Sequence, residues 1–414
     1  MSVATLVVEL FTEELPPKAL RALGEAFADV LAAYLRGQDF LGADSVATSF
    51  ATPRRLAVAI TGVRSAAPDK AFKEKLLPVN VAFDAEGKPT PALLGKLKAR
   101  QLSHLDPQSL LREHDGKVEA LYYANVAKGG PLASALQTAL DDAIAKLPIP
   151  KVMSYASTGQ YYNNEKFVRP AHRLLALHGS EIVNVSALGL DAGRTTDGHR
   201  FLSRGAIEIT NAEAYAPTLE AEGKVMPSFA ARRAHIVVAL ESTATDATPI
   251  MPDALLDEVT ALVEWPVVYA GSFDAAFLTV PQECLILTMQ LNQRYFALAD
   301  DSGKLVNRFL LVSNLETRDP ALIIAGNERV LRARLADAKF FFDQDHKQRL
   351  ETRAARLHSV VHHNKLGTQA ERVERLRFLA TRIAPFIGTL PSDYPCFSRR
   401  DCIRQRGTSP PPSL

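Results

Sequence analysis

The chain has 414 residues, 47% hydrophobic and 23% charged, the proportions of a globular protein long enough for two or three cores. Lys and Arg number 48 against 46 Asp and Glu, and a net charge of +2 gives no overall polyanion-binding surface. No apolar run approaches the roughly 18 residues of a membrane span. The start, MSVATLVVEL, lacks a basic leader and a long apolar core, and Cys284, Cys396 and Cys402 have neither disulfide-framework numbers nor metal spacing, so a cytoplasmic protein is expected.

In chain order, Leu6 to Leu10 reads as a buried strand. Pro16-Pro17 then opens a helix with an apolar stripe of Ala19, Leu20, Leu23, Phe27, Val30, Leu31 and Tyr34. Glu13-Glu14 stands just before that helix, where favourable placement at its N-terminus is a cheaper explanation than catalysis. Two strands, Ser45 to Ala51 and Leu56 to Val63, meet at Thr52-Pro53-Arg54-Arg55. Helices at Pro91 to Leu102 and Pro131 to Lys146 alternate with strands near Val79 to Phe83 and Val118 to Val126, an α+β pattern without regular βαβ succession. Gly87-Lys88-Pro89 is a turn that lacks the frame of a phosphate loop, and His114-Asp115 lacks the further ligands a metal phosphohydrolase needs. Phe167 to Gly179 sets Arg169, His172 and Arg173 against an apolar run, and Thr195 to Ser203 brings Asp197, His199 and Arg200 onto a loop. Structural support, RNA or partner contact, and general-base chemistry all stay open for these two segments. Amphipathic helices at Pro227 to Leu240 and Asp253 to Val263 lead to a strand, Trp265 to Tyr269, whose tryptophan reads as core.

Met289 to Asp345 is the most structured reading. Two strand-like runs, ALAD and RFLLVSN, flank an Asp-Asp-Ser-Gly turn, and a helix opens at Asp319-Pro320. Leu331, Leu335, Ala338 and Phe342 share one face of it; at ~100° per residue Arg329, Arg332 and Lys339 fall on a neighbouring face, with Arg334 on the other flank. A solvated face is one account, with Lys339 pairing Asp343. Charge supports another: residues 328–382 hold 13 Lys and Arg against 7 Asp and Glu, whereas the remainder holds 35 against 39. Beyond, His358 and His362 stand four apart on an expected helix, a zinc-ligand spacing without the H-E-x-x-H glutamate or a third ligand. A last helix, Glu371 to Ile387, precedes residues 391–414, whose prolines and lack of hydrophobic period predict a disordered tail.

Several long segments together resemble one family, the β subunit of the bacterial two-subunit glycyl-tRNA synthetase. They are LVVELFTEELPPKAL, FVRPAHRLLALHG, TTDGHRFLS, LLDEVTALVEWPVVYAGSF, and the run QRYF, SNLE, NERVLRARLADAKFFFDQD. The resemblance covers roughly residues 1 to 390. It implies an α+β, mixed-sheet N-terminal region of two or more subdomains, divided here as 1–150 and 151–345, followed by the start of a helical HD-like domain at 346–390. It also implies a subunit of an aminoacyl-tRNA synthetase that binds glycine tRNA within an α2β2 assembly, with no DNA or membrane partner. Chemistry, and ATP with Mg, would belong to the α subunit; no catalytic residue, metal or cofactor is expected on this chain. A truncated, non-enzymatic RNA-binding or scaffold protein is the alternative. Family members carry the Pro-Arg-Arg corner, which makes Arg54 and Arg55, taken as exposed, RNA contacts beside Arg294, Tyr295, Arg329, Arg332, Arg334 and Lys339. Arginine forks would pair with phosphate, and Tyr295 would stack on an unpaired base. Lys151-Val152-Met153-Ser154 resembles the mobile loop of class I synthetases, but no His-x-Gly-His partner precedes it. The family often has a basic and aromatic pair after this Met, where this chain has Ser154-Tyr155.

Overall fold

The computed structural model describes residues 2–84, 86–114, 116, 118–156 and 164–387. The tail from 391 onward, and Asp115 of the His-Asp pair, lie outside the described residues. The chain divides into two compact units. The first comprises residues 1–245, 251–269 and 311–319; the second comprises 246–250, 270–310 and 320–414.

The first unit is built on a seven-stranded sheet whose centre is the first strand, β1 (Val3–Thr12). The hairpin β2 (Ala47–Thr52) and β3 (Arg55–Arg64) lies on one side of it. Next comes a separate three-stranded sheet of β4 (Lys70–Pro78), β5 (Leu111–His114) and β6 (Glu119–Ala127), and then the pair β7 (Met153–Ala156) and β8 (Asn164–Phe167). On the other side of β1 runs β9 (Ala171–His178), antiparallel to it and followed by β10 (Glu181–Ile182), β11 (Ser186–Ala187) and β12 (Leu190–Gly193). β12 is parallel to β9 while the other pairs of the sheet are antiparallel, so the sheet is mixed, as expected. Because β1 and β9 pair, a border at residue 150 would cut through one sheet.

Both faces of β1 are covered, which explains its near-continuous apolar reading. Leu6, Val8 and Leu10 pack against α1 (Pro17–Gly37) and, beyond the short α2 (Val79–Ala82) and α3 (Pro91–Ala99), α4 (Leu132–Lys146). Leu20, Leu23, Phe27 and Leu31 are the buried stripe of α1. On the opposite face Val7, Ala57 and Leu175 meet Ile207 and the helix α5 (Tyr215–Ala221). Helices α6 (Phe229–Ala244) and α7 (Asp253–Thr260) complete the unit, with the hairpin β13 (Thr195–Asp197) and β14 (Ala206–Glu208).

β15 (Thr248–Pro249), β16 (Val267–Ser272), β17 (Phe296–Ala299) and β18 (Leu305–Ser313), all but residues 267–269 and 311–313 in the second unit, form a sheet in the order β15-β17-β18-β16. The hairpin expected at Asp300 is present, with the Asp300 carboxylate accepting the Ser302 and Lys304 amides at 2.8 and 3.0 Å. After α8 (Gln282–Thr288), the helix from Pro320 is 26 residues long, α9 (Ala321–His346), and buries Leu331 and Leu335. A short α10 (Leu350–Arg353) and α11 (Gln369–Ile383) follow, the latter started by a Thr368–Glu371 capping box.

Three local expectations fail. Val79 to Phe83 opens with a helical turn, and the strand lies earlier, at Lys70–Pro78, where lysines on its open side hide the alternation. His358 ends a 3-10 turn and His362 lies in a short strand, so the two never share a helical face. Trp265 is only half-buried, its Nε1 donating to Glu316 at 3.1 Å. No described helix is long and apolar enough to cross a membrane.

Candidate functional site

Two charged residues inside apolar strands need explanation: Glu9 in β1 and, just after α7, Glu264 in the run ALVEWPVV. Both are buried, 0% and 2% exposed, and a carboxylate with no water must find cations or hydroxyls. The β2–β3 corner supplies them. Arg54 Nη2 donates to Glu264 Oε2 at 2.9 Å, and Thr52 Oγ1 donates to Glu264 Oε1 at 2.9 Å. Arg55 stands between the carboxylates, its Nε 3.3 Å from Glu9 and its Nη1 3.7 Å from Glu264. Thr196 and Tyr215 hydroxyls complete the hydrogen bonding of Glu9. Phe11 lies under both guanidinium groups, 5.2 and 5.4 Å from its ring centre.

Electrostatics of the network follow from burial against pairing. Burial pushes the Glu264 carboxyl up, but Arg55 and Arg54 outweigh it and hold the group below its ordinary 4.5. Burial likewise works against the charged form of Arg55, and Glu264 and Glu9 raise it net. Arg232, also 0% exposed, is pushed down to about 9 by burial, which still leaves it charged at neutral pH. Its guanidinium donates to the carbonyls of Met226, Ala51 and Thr260 at 2.6, 2.7 and 3.1 Å.

The network's outer side is an eight-residue loop, 198–205, between β13 and β14. Arg55 Nη2 donates to the Asp197 carbonyl at 2.5 Å and Arg54 Nη2 to the Gly198 carbonyl at 2.7 Å. His199 Nδ1 accepts the Phe201 and Leu202 amides at 3.2 and 3.1 Å, which places the ring proton on Nε2, a buried atom without a hydrogen-bond partner among the described residues. Around the loop lies an exposed rim: Glu13 meets His172 and Arg200, each at 3.0 Å, and Arg173 Nε meets Asp197 at 2.8 Å. Burial pushes the Glu13 carboxyl up, and the His172, Arg200 and Glu14 hydrogen bonds together outweigh it and bring the group below 4.5. Glu13 and Glu14 therefore serve the rim; the first turn of α1 holds no acidic residue.

The expected RNA contacts divide sharply. Arg54 and Arg55 are 8% and 0% exposed, so the expectation of an exposed corner is corrected: both forks are turned inward to Glu264, Glu9 and the loop carbonyls. Tyr295 is 4% exposed, stacked on Phe309 at 4.7 Å and hydrogen-bonded to Asn327, and burial pushes its phenol up to about 12; it has no open face for a base. Arg294 caps a helix end with φ 59° and donates to the Leu291 carbonyl. On α9, Arg329, Arg332 and Arg334 are exposed without a salt-bridge partner among the described residues, and Lys339 pairs with Asp343 at 3.0 Å. The first-unit network was missed in sequence, although Glu9 and Glu264 inside apolar runs were its signal.

The mixed-sheet α+β first unit thus spends its buried charge on holding one loop. Residues 6–399 match the family described as "Glycyl-tRNA synthetase beta subunit". Glycine–tRNA ligase beta subunits of Ralstonia nicotianae and Acidovorax ebreus are each 56% identical to it, and that of Aromatoleum aromaticum 53%, all over 93% of the chain. The chain belongs to the glycyl-tRNA synthetase beta-subunit family, the beta component of an aminoacyl-tRNA synthetase. It spans 54 to 56% of the length of those relatives.

Proposed function

We propose that this chain is the tRNA-holding part of a glycine–tRNA ligase and works in the cytoplasm. It grips glycine tRNA while an alpha subunit, in an α2β2 assembly, uses ATP with Mg to activate glycine and transfer it. The observation that carries the reading, beside family membership, is the set of exposed arginines on α9, Arg329 and Arg332 on one face and Arg334 on the other flank, without salt-bridge partners among the described residues. Such donors neutralise phosphate and release counterions, which supplies affinity and orientation without a reacting group. Arg294 and Lys339 have a less open position, Lys339 being engaged with Asp343. The competing reading is a non-enzymatic RNA-binding or scaffold protein.

Two measurements test this. Binding of labelled glycine tRNA across a salt series should lose slope on Arg329→Gln, Arg332→Gln and Arg334→Gln by about 0.7 to 0.9 per phosphate contact removed. An unchanged slope in the triple variant removes α9 as the grip. Mixing the chain with purified alpha subunit, glycine, ATP, Mg and tRNA should yield glycyl-tRNA; binding without charging selects the scaffold reading.

A further inference from the structure

We infer that Phe201, at the tip of the loop pinned by the first-unit ionic network, is a stacking platform for an unpaired base of the bound RNA. The inference rests on the tRNA reading above and names a contact that the basic helix does not supply. Phe201 is 76% exposed, an apolar ring left in water on a backbone that is anything but loose. Its own amide and that of Leu202 are taken by His199 Nδ1, the His199 amide donates to the Gly223 carbonyl at 2.7 Å, and the Ser203 amide donates to the His199 carbonyl at 3.1 Å. Arg54 holds the Gly198 carbonyl beneath. Gly198 is so close to its surroundings that a Cβ there would stand 2.5 Å from Ser203 Oγ and 2.7 Å from Gly223 Cα. The loop thus has little room to withdraw its tip, and the ordering cost of presenting the ring is met in the unbound protein.

The surroundings of the ring favour a nucleic acid. Arg200 and Arg204 flank it and are exposed; Arg200 is held by Glu13 and Glu14, and Arg204 has no salt-bridge partner among the described residues. An anchor for a protein surface sits in a wider apolar patch. Here one exposed ring, 6.2 Å from the His199 imidazole, has exposed arginines one residue before and three residues after it in the chain, side chains suited to the phosphate adjoining a stacked base. Every base has such a face, so the contact grips an unpaired nucleotide without selecting its identity.

The test measures direct binding of the full chain to labelled glycine tRNA and to a blunt RNA duplex of similar length. Phe201→Ala should weaken tRNA binding roughly tenfold, leave duplex binding unchanged, and leave the salt slope unchanged because no charge is removed. Phe201→Trp should restore the affinity, and thermal unfolding followed by circular dichroism should be the same in all three proteins. Equal tRNA affinity of Phe201→Ala and wild type overturns the stacking contact while leaving the tRNA reading intact. Failure of the wild type to bind tRNA at all overturns the tRNA reading and this contact with it. Unchanged tRNA binding with weakened capture of purified alpha subunit overturns the inference and makes the loop a protein contact.

Discussion

Glu264→Gln keeps the shape of the side chain and removes one buried charge. Glu264 is 2% exposed and accepts from Thr52 and Arg54 at 2.9 Å each, while Arg55 Nη1 stands 3.7 Å away. In the wild type the buried guanidinium groups of Arg54 and Arg55 pair with Glu264 and Glu9, and the charge of Glu264 also favours the buried Arg232 cation. In the variant Glu9 is the one carboxylate left among them. Breaking a buried pair by removing one partner costs about 3–5 kcal/mol, because the other charge stays buried without compensation. With a urea m-value of roughly 2 kcal/mol per M, the unfolding midpoint should fall by about 2 M. Trp265 reports it directly: it is the only tryptophan of the chain and the next residue, so its fluorescence follows this unit. The pH dependence gives a second check. The Glu264 carboxyl is held below 4.5 in the folded protein, so the folded form binds fewer protons than the unfolded one there. Its contribution is full above the unfolded value and is lost as pH falls through the lowered folded value. The deficit of Glu264→Gln should therefore shrink below about pH 4.5. An unchanged midpoint at pH 7, or a deficit as large in acid as at neutrality, would refute the account of a dry, paired carboxylate.

Two further outcomes are expected. Gly24→Ala, in the middle of α1, gains about 1 kcal/mol in helix propensity, but its Cβ would stand 2.6 Å from the Cβ of Ala51. Overpacking of about 1–3 kcal/mol outweighs that gain, so the Trp265 midpoint should drop; a rise would mean that α1 shifts away from the sheet freely. His199→Ala releases the amides of Phe201 and Leu202, so trypsin should cut after Arg200 and Arg204 faster than in wild type, with circular dichroism unchanged. Equal cleavage rates would show that the loop holds its form without the imidazole.

Legibility followed the length of the periodic signal. The stripe of α1, the α9 helix and the Asp300 hairpin were readable because each repeats a local rule over several turns or within one tight turn. The charged corner was not, because the meaning of Arg54 and Arg55 is set by Glu264, 210 and 209 positions away in the chain, and no local pattern encodes that pairing. A two-residue arginine corner reads as surface unless carboxylates inside apolar runs are read as a demand for buried cations. Tyr295 failed for a similar reason: Phe309 and Asn327 cover it from β18 and α9. Family likeness drew notice to both segments, and in both the side chains expected to be open are turned inward.

The same pairing bears on why the charges are there. Well-packed apolar residues of equal volume would be neutral or more stabilising than a buried ion pair, so stability alone does not account for the network. What apolar residues cannot do is donate. Arg55 and Arg54 close the carbonyls of Asp197 and Gly198, and Arg232 closes those of Met226, Ala51 and Thr260; each is backbone at the end of an element or in a connection. Left without donors when buried, each carbonyl would cost about 1–3 kcal/mol and the segment would move to find water. One planar fork reaching several carbonyls and a carboxylate together fixes direction as well as distance, which a lysine ammonium on a flexible stem does not. The buried arginines therefore act on the exposed loop tip at one remove: they set where the loop begins, and the loop sets where Phe201 points.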